Sequence, residues 1–310
     1  MPGLHKNILF ISLSNIGDTI LTTPVLQTLH KLYPQAEIDL VSDRRSKIIY
    51  EHCPYRKEIF LKNKQNIFNG SLALIMELRK KSYDIIVDLR TDGLTCLLKG
   101  KVKLTKRQAV PYGQHAVEEH MGVIRKININ GDIPPTAVWI TDDHAEYANN
   151  CLRDIDAQRT LVIAPGCHVP IKVWSPGNFA SLCNSLSGNI ETVVLLGAGS
   201  ERKYSDEVVK ELSIPFKDLT GKTDLLQAAA VIKKSAFFIG NDSGLGHIAS
   251  AVSIPSLTLF GIGEPQRYHP WGDQASWLQG DNNDINKISV DSVVQVVKKK
   301  LSMHTKNNSD

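Results

Sequence analysis

The sequence predicts an α/β protein of two Rossmann-like domains that face a central cleft. Short apolar runs, typical of buried strands, alternate with helix-like segments along the chain. A proline-marked junction at 133–135 interrupts this alternation, which then starts afresh. One polar turn follows the first strand of the front half, and another follows a late strand of the back half. Ligands of open parallel sheets bind beyond the carboxyl ends of the strands, where both turns fall.

The front half predicts strands separated by helices. Strands are expected at 8–13, 37–41, 83–89 and 101–104. Helices are expected at 19–33 and 71–81, with a short helical turn at 95–98. Pro24 should kink the first helix or divide it into two short pieces, because proline lacks the N–H that an interior position needs.

The back half repeats the pattern. Its strands are expected at 160–164, 192–196, 236–239 and 256–260. Its helices are expected at 142–152, 178–186, 201–212, 224–233, 246–252 and 290–301. We therefore expect two Rossmann-like domains, one at 1–156 and the other at 157–310. The helix at 290–301 is a candidate to pack back toward the first domain.

The composition is that of a soluble globular protein, with 42% apolar and 22% charged residues among 310. No apolar run approaches the ~18 residues that a membrane span needs. The run at 8–13 contains Ser12 and lacks a small-residue cleavage site, so it predicts a strand and not a signal peptide. The five cysteines are far apart and form no CxxC pair, which favours a reducing compartment, and we expect a cytoplasmic protein.

The charge is uneven. Residues 1–131 carry 20 Lys and Arg against 12 Asp and Glu, a net charge of +8, whereas the remainder carries 16 against 20, a net charge of −4. A basic front half favours an acidic partner by electrostatic attraction. A solvated basic surface without a ligand is supported equally well.

Two nucleotide-binding patterns are missing. The turn at 14–19 has too few glycines for a dinucleotide fingerprint, and the segment at 197–199 fails because Arg202 stands at the third glycine position. No Walker pattern is present, so NAD-dependent and ATP-hydrolysing functions lose their main support. Asp18 then has two interpretations. It caps a helix by accepting the N–H of Ile20 or Leu21, or it is a general base for a sugar hydroxyl, which loses its proton only as it attacks.

The segment 240–247 follows a buried strand and opens a helix. The unpaired N–H groups of Ser243 and Gly244 then form a seat for an anion, most often a phosphate. Lys172, in the loop at 165–176, either reaches a diphosphate as a point charge or is a surface lysine. His168 and His247 are more often structural hydrogen-bonding groups than ligands, and Trp174 is a packing residue.

Together these motifs resemble glycosyltransferase family 9, whose best-known members are the ADP-heptose:lipopolysaccharide heptosyltransferases. The matching motifs span nearly the whole chain in order: Gly17-Asp18 followed by the segment ending at Pro24, Lys172-x-Trp174-x-Pro176, Asp242-Ser243-Gly244-x-x-His247, and Phe260-Gly261. The resemblance implies a GT-B fold with the donor in the carboxyl-terminal domain. It also implies sugar transfer with inversion and without a metal ion.

The resemblance implies donor-binding roles for Lys172, Glu201, Asp242, Ser243, Gly244 and His247. In it, Lys172 and the amides of the 243–244 turn hold the ADP diphosphate, Asp242 contacts hydroxyls of the donor sugar, and Glu201 is a weaker match to an acidic residue that holds the ribose. Cys167 and His168 stand where the family often has small hydroxyl residues.

On the acceptor side, the resemblance makes Asp18 the base that activates the acceptor hydroxyl. Arg90, just past the strand at 83–89, and Ser14 are expected to bind an acidic acceptor. A run of basic residues follows the same strand: Lys99, Lys101, Lys103, Lys106 and Arg107. This run either faces anionic lipid headgroups or protects a solvated edge strand.

The expected function is therefore an inverting, metal-independent glycosyltransferase. It moves a heptose or related sugar from an ADP-sugar to an anionic glycan or glycolipid such as the lipopolysaccharide inner core. No cofactor, metal or nucleic acid is expected, and a peripheral contact with the inner membrane is one option for the basic run. Two alternatives stay open, namely a sugar-nucleotide epimerase of the same fold and a non-catalytic nucleotide-sugar-binding protein.

Overall fold

A computed structural model describes residues 6–62, 67–90, 93–129 and 131–307 of the chain. The chain divides into two compact units, Met1–Trp139 and Ile140–Asp310. Each unit contains one parallel β-sheet with helices packed on it. Within the described ranges, every helix is too short or too polar to span a bilayer.

The first unit has a five-stranded sheet in the order β3-β2-β1-β4-β5, and every strand pair is parallel. Its strands are β1 (Asn7–Ile11), β2 (Glu37–Asp43), β3 (Arg56–Lys62), β4 (Tyr83–Asp88) and β5 (Gly100–Thr105). Its helices are α1 (Ile16–Ile20), α2 (Thr23–Leu32), α3 (Lys47–Tyr50), α4 (Ile67–Arg79) and α5 (Ala116–Val123), with 3₁₀ helices at Leu94–Leu97 and Lys106–Gln108. The strand order reverses between β1 and β4, which makes their carboxyl ends the topological switch point.

The second unit has a six-stranded parallel sheet in the order β11-β10-β9-β6-β7-β8. Its strands are β6 (Thr160–Ala164), β7 (Thr192–Leu195), β8 (Phe216–Asp218), β9 (Phe237–Asn241), β10 (Ser256–Phe260) and β11 (Ala275–Gln279). Its helices are α6 (Asp142–Cys151), α7 (Pro176–Ser185), α8 (Arg202–Glu211), α9 (Leu225–Lys234), α10 (Gly244–Ala251), α11 (Pro265–Tyr268) and α12 (Val290–Asn307), with 3₁₀ helices at Ala157–Arg159, Pro170–Lys172, Gly199–Glu201, Asp281–Asn283 and Ile285–Lys287. Here the order reverses between β6 and β9.

Pro24 divides the first predicted helix, as expected. It lies within the first two positions of α2, where its missing N–H leaves no helical bond unmade. The preceding helix α1 ends at Ile20, so the chain changes direction between the two pieces. This division confirms the prediction, and it leaves Asp18 on a short helix directly after β1.

The central strands are buried on both faces, as a parallel sheet covered by helices requires. Every residue of β6 and of β9 is buried. In the second unit, the core also takes Val293 and Val297 of α12, whose helix packs beside α7. The apolar face of the last helix therefore packs on its own unit. The option that this helix also packs toward the first domain stays a prediction.

The boundary between the units lies earlier in the chain than the sequence-based division at 156. Helix α6 packs against α9, so it belongs to the second unit. Two hydrogen bonds hold it there: the Tyr147 hydroxyl donates to the carbonyl of Lys222 at 3.0 Å, and Lys217 Nζ donates to the carbonyl of Cys151 at 2.6 Å. Prolines mark an interruption of secondary structure, whereas these contacts decide which sheet a helix covers.

The sequence patterns missed β3, β8 and β11, which are all edge or near-edge strands. β3 carries the charged residues Arg56, Lys57 and Glu58, and only Phe60 of its seven residues is buried. β8 has three residues and β11 has no fully buried residue. Edge strands carry charges and are short for protection against edge-to-edge pairing, and this hides the apolar alternation that identifies a strand.

Candidate active site

The turn that follows β1 is held by buried hydroxyl groups. The Ser12 N–H donates to the carbonyl of Val41 at 3.0 Å. The Ser12 and Tyr50 hydroxyls share a hydrogen bond of 2.6 Å, and the Tyr50 and Thr22 hydroxyls share another of 2.7 Å. Burial raises the pKa of Tyr50, so its hydroxyl keeps its proton for this network. Ser12, the first residue of the turn, is therefore hydrogen-bonded both to β2 and to α3.

Asp18 lies half-buried in the first turn of α1, and its Oδ2 accepts a hydrogen bond from Nδ2 of Asn15 at 2.9 Å. The N–H of Leu21 donates to the carbonyl of Gly17 at 3.1 Å. This N–H group therefore already has an acceptor within the helix and does not need Asp18 as a cap. The carboxylate thus contacts a side chain of the same turn instead of capping Leu21. Its role as a base stays a prediction.

Arg90 lies two residues after the end of β4, and its side chain joins the ends of three strands. Its Nε donates to the carbonyl of Ser12 at 3.1 Å, and its Nη2 donates to the Ser14 hydroxyl at 2.8 Å. Its Nη1 forms an ion pair with Asp43 Oδ1 at 3.1 Å, and the two side chains are only 11% and 10% exposed. The structure therefore brings together the two predicted acceptor residues, Arg90 and Ser14. Their contact with an acceptor stays a prediction.

Asp43 is a site residue that the sequence analysis missed. It is the buried last residue of β2, and it lies beyond the strand predicted at 37–41, in no motif that would single it out. Asp88, the last residue of β4, is another: its Oδ1 accepts the N–H of Arg90 at 2.9 Å, and its Oδ2 accepts the Thr95 hydroxyl. Asp43 and Asp88 thus lie at the carboxyl end of the sheet, where the β1 turn also lies.

In the second unit, Lys172 and Asp242 form an ion pair of 2.5 Å between Nζ and Oδ2. Lys172 ends the 3₁₀ helix after β6, and Asp242 directly follows β9, so the pair spans the switch point of this sheet. Their side chains are 26% and 17% exposed. The structure thus places two of the predicted donor residues in direct contact and within reach of solvent.

Cys167 lies beside this pair, and its Sγ is 3.7 Å from the carbonyl oxygen of Asp242. Burial raises the pKa of the Cys167 thiol, the N–H of Val169 and the charge of Lys172 lower it, and the carboxylates of Glu201 and Asp242 raise it. The net shift is upward, so the thiol stays protonated at neutral pH. The charges acting on Cys167 also show that the predicted donor residues on separate loops surround it.

Glu201 ends the 3₁₀ helix Gly199–Glu201, and its Oε2 accepts the N–H of Ala198 at 2.9 Å. It packs over Gly166, where an added Cβ would lie 2.5 Å from the Cβ of Glu201. The close approach explains why residue 166 has no side chain. Glu201 is therefore positioned by its own turn and by the loop that leads to Lys172, while its contact with a ribose stays a prediction.

Asn241, also missed from the sequence, ties two loops of the second unit together. It is fully buried at the end of β9. Its Nδ2 donates to the carbonyl of Pro165 at 2.9 Å, and its Oδ1 accepts the N–H of Trp174 at 3.0 Å. Trp174 is fully buried, and its Nε1 donates to the carbonyl of Ile288 at 3.1 Å, which confirms that it is a packing residue.

Helix α10 begins at Gly244, directly after the extended residue Ser243. Among the described residues, the Ser243 side chain makes no capping hydrogen bond to the first turn of α10. The N–H groups of a first helical turn have no acceptor within the helix itself. His247 is buried on this turn. An added Cβ at Gly246 would lie 2.8 Å from Oγ1 of Thr258, so the helix lies close against β10. Ser243, Gly244 and His247 thus lie on the segment that follows Asp242.

Over the described ranges, no three His, Cys, Asp or Glu side chains lie close enough together to hold a metal ion. The charged groups at the second switch point include Lys172 and its carboxylate partner Asp242. A lysine and helix N–H groups can together neutralise a diphosphate.

Two Rossmann-like units, each with polar groups at its switch point, define a GT-B glycosyltransferase fold. The family model of glycosyltransferase family 9 (heptosyltransferase) matches residues 99–297, more than half of the chain, and the protein belongs to this family. It is accordingly a glycosyltransferase.

Individual relatives agree with this assignment. Lipopolysaccharide heptosyltransferase 3 of Escherichia coli strain K12 is 29% identical over 290 residues, which cover 82% of each chain. A solved glycosyltransferase of family 9 from Veillonella parvula DSM 2008 superimposes with a TM-score of 0.87 at 22% identity, covering 97% of this chain and 99% of that one. The E. coli heptosyltransferase WaaC, solved with ADP, gives a TM-score of 0.75 at 19% identity over 95% and 99% of the two chains.

Proposed function

We propose that the protein transfers a heptose, or a related sugar, from an ADP-sugar to an anionic glycan such as the lipopolysaccharide inner core. The transfer proceeds with inversion and without a metal ion. The observation that carries the proposal is the Lys172–Asp242 pair at the start of the segment leading into α10. Family membership and the heptosyltransferase relatives support the class of sugar and of acceptor.

The donor half of the proposal rests on charge. A diphosphate leaving group gains negative charge as the glycosidic bond breaks. Lys172 supplies a cation, and the first-turn N–H groups at Ser243 and Gly244 supply hydrogen-bond donors. Asp242, held by Lys172, accepts hydrogen bonds from the sugar hydroxyls. The ADP bound to the relative WaaC supports a diphosphate nucleotide as the ligand.

The acceptor half rests on Asp18. As the acceptor oxygen attacks the anomeric carbon, its proton passes to the Asp18 carboxylate. The bond from that carbon to the ADP oxygen breaks in the same displacement, and ADP leaves with the bonding electrons. One displacement inverts the anomeric configuration. The basic front half, with its net charge of +8 over residues 1–131, supports an acidic acceptor.

Replacement of Asp18 tests the catalytic role. Asp18→Asn keeps the size and the contact with Asn15 but removes the base, so kcat should fall by about 10²–10⁴-fold. The dissociation constant for ADP, measured by calorimetry, should stay unchanged. The matched control is Asp142→Asn, which changes an exposed first-turn aspartate of α6 and should leave both quantities unchanged. Near-normal turnover of ADP-heptose with core-truncated lipopolysaccharide by the Asp18→Asn protein would overturn the proposal.

The two alternatives predict different products. An epimerase converts the sugar nucleotide without any acceptor, so chromatography of ADP-heptose incubated with the protein alone would reveal a new sugar nucleotide. A non-catalytic binding protein would bind ADP yet show no turnover to lose on replacement of Asp18. The membership of the transferase family favours acceptor-dependent release of ADP over both.

We further propose that the enzyme works on the cytoplasmic face of the membrane, in peripheral contact with anionic lipid. All five cysteines are free thiols, which supports a reducing compartment. Leu72 and Met76, 55% and 54% exposed, lie one turn apart on α4, and the bond from Arg79 Nε to the carbonyl of Leu97 brings the 48% exposed Leu97 beside that helix. The exposed Lys99 lies two residues after Leu97. An apolar patch with basic neighbours suits anionic headgroups.

Sedimentation with anionic phosphatidylglycerol vesicles tests this contact. The double substitution Leu72→Ser and Met76→Ser should lower the bound fraction several-fold, whereas Phe216→Ser, which removes an apolar side chain 44% exposed in the second unit, should not. Equal binding by all three proteins would exclude the proposed surface.

A further inference from the structure

We propose that Asp43 and Arg90 are positioning residues, whose ion pair holds the β1 turn in the place from which Asp18 acts. The inference rests on the proposed base role of Asp18 and assigns a function to a pair that does not itself touch the reacting atoms. The sequence predicted Arg90 as an acceptor ligand, and nothing in the sequence pattern singled out Asp43. The contacts of the guanidinium point instead to the turn.

The guanidinium group is engaged on three sides by protein atoms. It donates to the carbonyl of Ser12 at 3.1 Å, to the Ser14 hydroxyl at 2.8 Å and to Asp43 at 3.1 Å. Two of these acceptors belong to the β1 turn, and the third ends the neighbouring strand β2. Arginine presents its donors in a rigid planar fork, so fixing one side by Asp43 fixes the direction of the others.

The backbone of Arg90 is also held in place. The N–H of Arg90 donates to Asp88 at 2.9 Å, and Asp88 also accepts the Thr95 hydroxyl. β4 pairs directly with β1, with Asp88 opposite Ile11. The arginine side chain therefore extends from a rigid strand end toward the turn of the adjacent strand, and its position does not depend on a flexible loop.

The remaining atoms of the turn are anchored in the same way. The carbonyl of Leu13 accepts the hydroxyls of Thr19 and Ser46, both at 3.3 Å. Ser12 is bonded to the Tyr50 hydroxyl. Residues 12, 13 and 14 thus each have a tertiary hydrogen bond, and the next residue, Asn15, donates to Asp18. A chain of contacts therefore runs from Asp43 through Arg90 and Ser14 to the residue that contacts the proposed base.

The burial of the pair decides how strongly it acts. At 11% and 10% exposure, the charges are shielded from water and from salt, so loss of Asp43 removes a buried ionic partner of the guanidinium group, which is destabilising. The turn then relaxes to satisfy the guanidinium. A displacement of about 1 Å in a reacting group costs on the order of 10²-fold in rate. Donor binding belongs to groups of the other unit, so it should not respond.

The test compares two buried aspartates of the same strand. Asp43→Asn removes the charge at the carboxyl end of β2. Asp39→Asn is the matched control: Asp39 lies nearer the amino end of β2, its side chain is 5% exposed, and it pairs with Lys81 at 2.7 Å and accepts the Tyr83 hydroxyl at 3.1 Å. Both substitutions remove a buried carboxylate from an ion pair of the first unit, although Lys81 is 32% exposed, and both should lower the melting temperature.

The readout is the rate of ADP release from ADP-heptose with core-truncated lipopolysaccharide, beside the calorimetric dissociation constant for ADP. The Asp43→Asn protein should lose on the order of 10²-fold in kcat with an unchanged ADP dissociation constant, and the Asp39→Asn protein should keep kcat within about two-fold. Arg90→Lys keeps the charge but cannot present a fork to three acceptors. Arg90→Lys should also lower kcat, with a smaller decrease in melting temperature than Asp43→Asn. It is the variant to use if the Asp43→Asn protein does not fold.

Equal kcat values for the Asp43 and Asp39 variants, or wild-type kcat for Arg90→Lys, would overturn the positioning role. An inactive Asp18→Asn protein beside such a result would show that only the positioning role fails and that the base assignment survives. An active Asp18→Asn protein would instead remove the proposed function and the positioning role with it. A lower ADP affinity in the Asp43→Asn protein would also contradict the inference.

Discussion

The two sheets differ in the residue that ends the strand next to their first strand: it is charged in the first unit and neutral in the second. β4 of the first unit and β9 of the second each pair with the first strand of their sheet at the switch point. β4 ends at the buried carboxylate Asp88, which holds the backbone of Arg90, whereas β9 ends at the buried neutral amide Asn241, which joins Pro165 to Trp174. Similar positions therefore hold a charged network in one unit and a neutral crosslink in the other.

The cations of the two switch points differ in the same sense. Arg90 is 11% exposed and bonded to three protein groups, whereas Lys172 is 26% exposed and paired with Asp242. A buried, multiply bonded cation suits the positioning of a backbone turn. A more exposed cation with one carboxylate partner retains the capacity to bind a ligand anion. The comparison thus agrees with the proposal that the first unit places a base and the second holds a leaving group.

Among the changes that test this comparison, the largest effect on ADP binding is expected for Lys172→Ala. Hydrogen bonds to charged groups contribute about 1.5–3 kcal/mol, so the loss of this cation should weaken ADP binding by about 2.5 kcal/mol, roughly 70-fold. Calorimetry measures the effect. Lys217→Ala is the control, because it removes a lysine of the same unit that bonds to the carbonyl of Cys151. Equal ADP affinities for the two variants would break the assignment of the donor seat.

A smaller effect is expected at the strand ends. Asn241→Ala leaves the Pro165 carbonyl and the Trp174 N–H without their partner, at a cost of about 1.5 kcal/mol in the free energy of unfolding. It should also weaken ADP binding, because Asn241 holds the loop at 165–176, which carries Lys172, and directly precedes Asp242. Asp88→Asn should lower stability and kcat but leave ADP affinity unchanged. Denaturant unfolding and calorimetry of the two variants would contradict the comparison if both proteins lost ADP affinity equally.

The smallest effect is on acid stability. Burial acts to raise the pKa of Asp218, but the N–H and hydroxyl of Thr220 and the guanidinium of Arg202 outweigh it and hold that pKa below the usual value of 3.8. A pKa lowered by folding adds stability above the unfolded value and loses it as the pH falls through the folded value.

Asp218→Asn should therefore lower the free energy of unfolding at pH 7 by no more than about 1 kcal/mol, and the difference from the parent protein should shrink as the pH falls from 3.8 through the lowered pKa of Asp218. Urea unfolding across this range measures it. In the first unit Asp84, whose pKa is lowered by Lys101 and by the N–H of Asn7 although burial opposes this, should respond in the same direction. A difference that persists at low pH would contradict the assignment.

Much of the fold could be predicted because its signals are local. The strands at 160–164 and 256–260 have the bounds expected from the apolar runs, and Pro24 divides its helix as expected. β3 could not be predicted, since its charges hide the alternation. Asp18 and Asp242 could be singled out as candidates because each lies in a short polar segment beside a strand end, and Lys172 because it lies in the loop at 165–176 that matches a family motif. Asp43 and Asn241 lie at strand ends too, but without a motif that distinguishes them.

The sequence by itself determined the alternation of strands and helices, the two polar turns and the family motifs, because each depends on residues within a few positions of one another. Only the tertiary structure decided that Asp43 pairs with Arg90, that Lys172 meets Asp242 and that α6 covers the second sheet. These contacts join residues distant in the chain, and the order of the strands in each sheet determines which strand ends become neighbours. That order comes from the packing of the whole unit, which no short segment specifies.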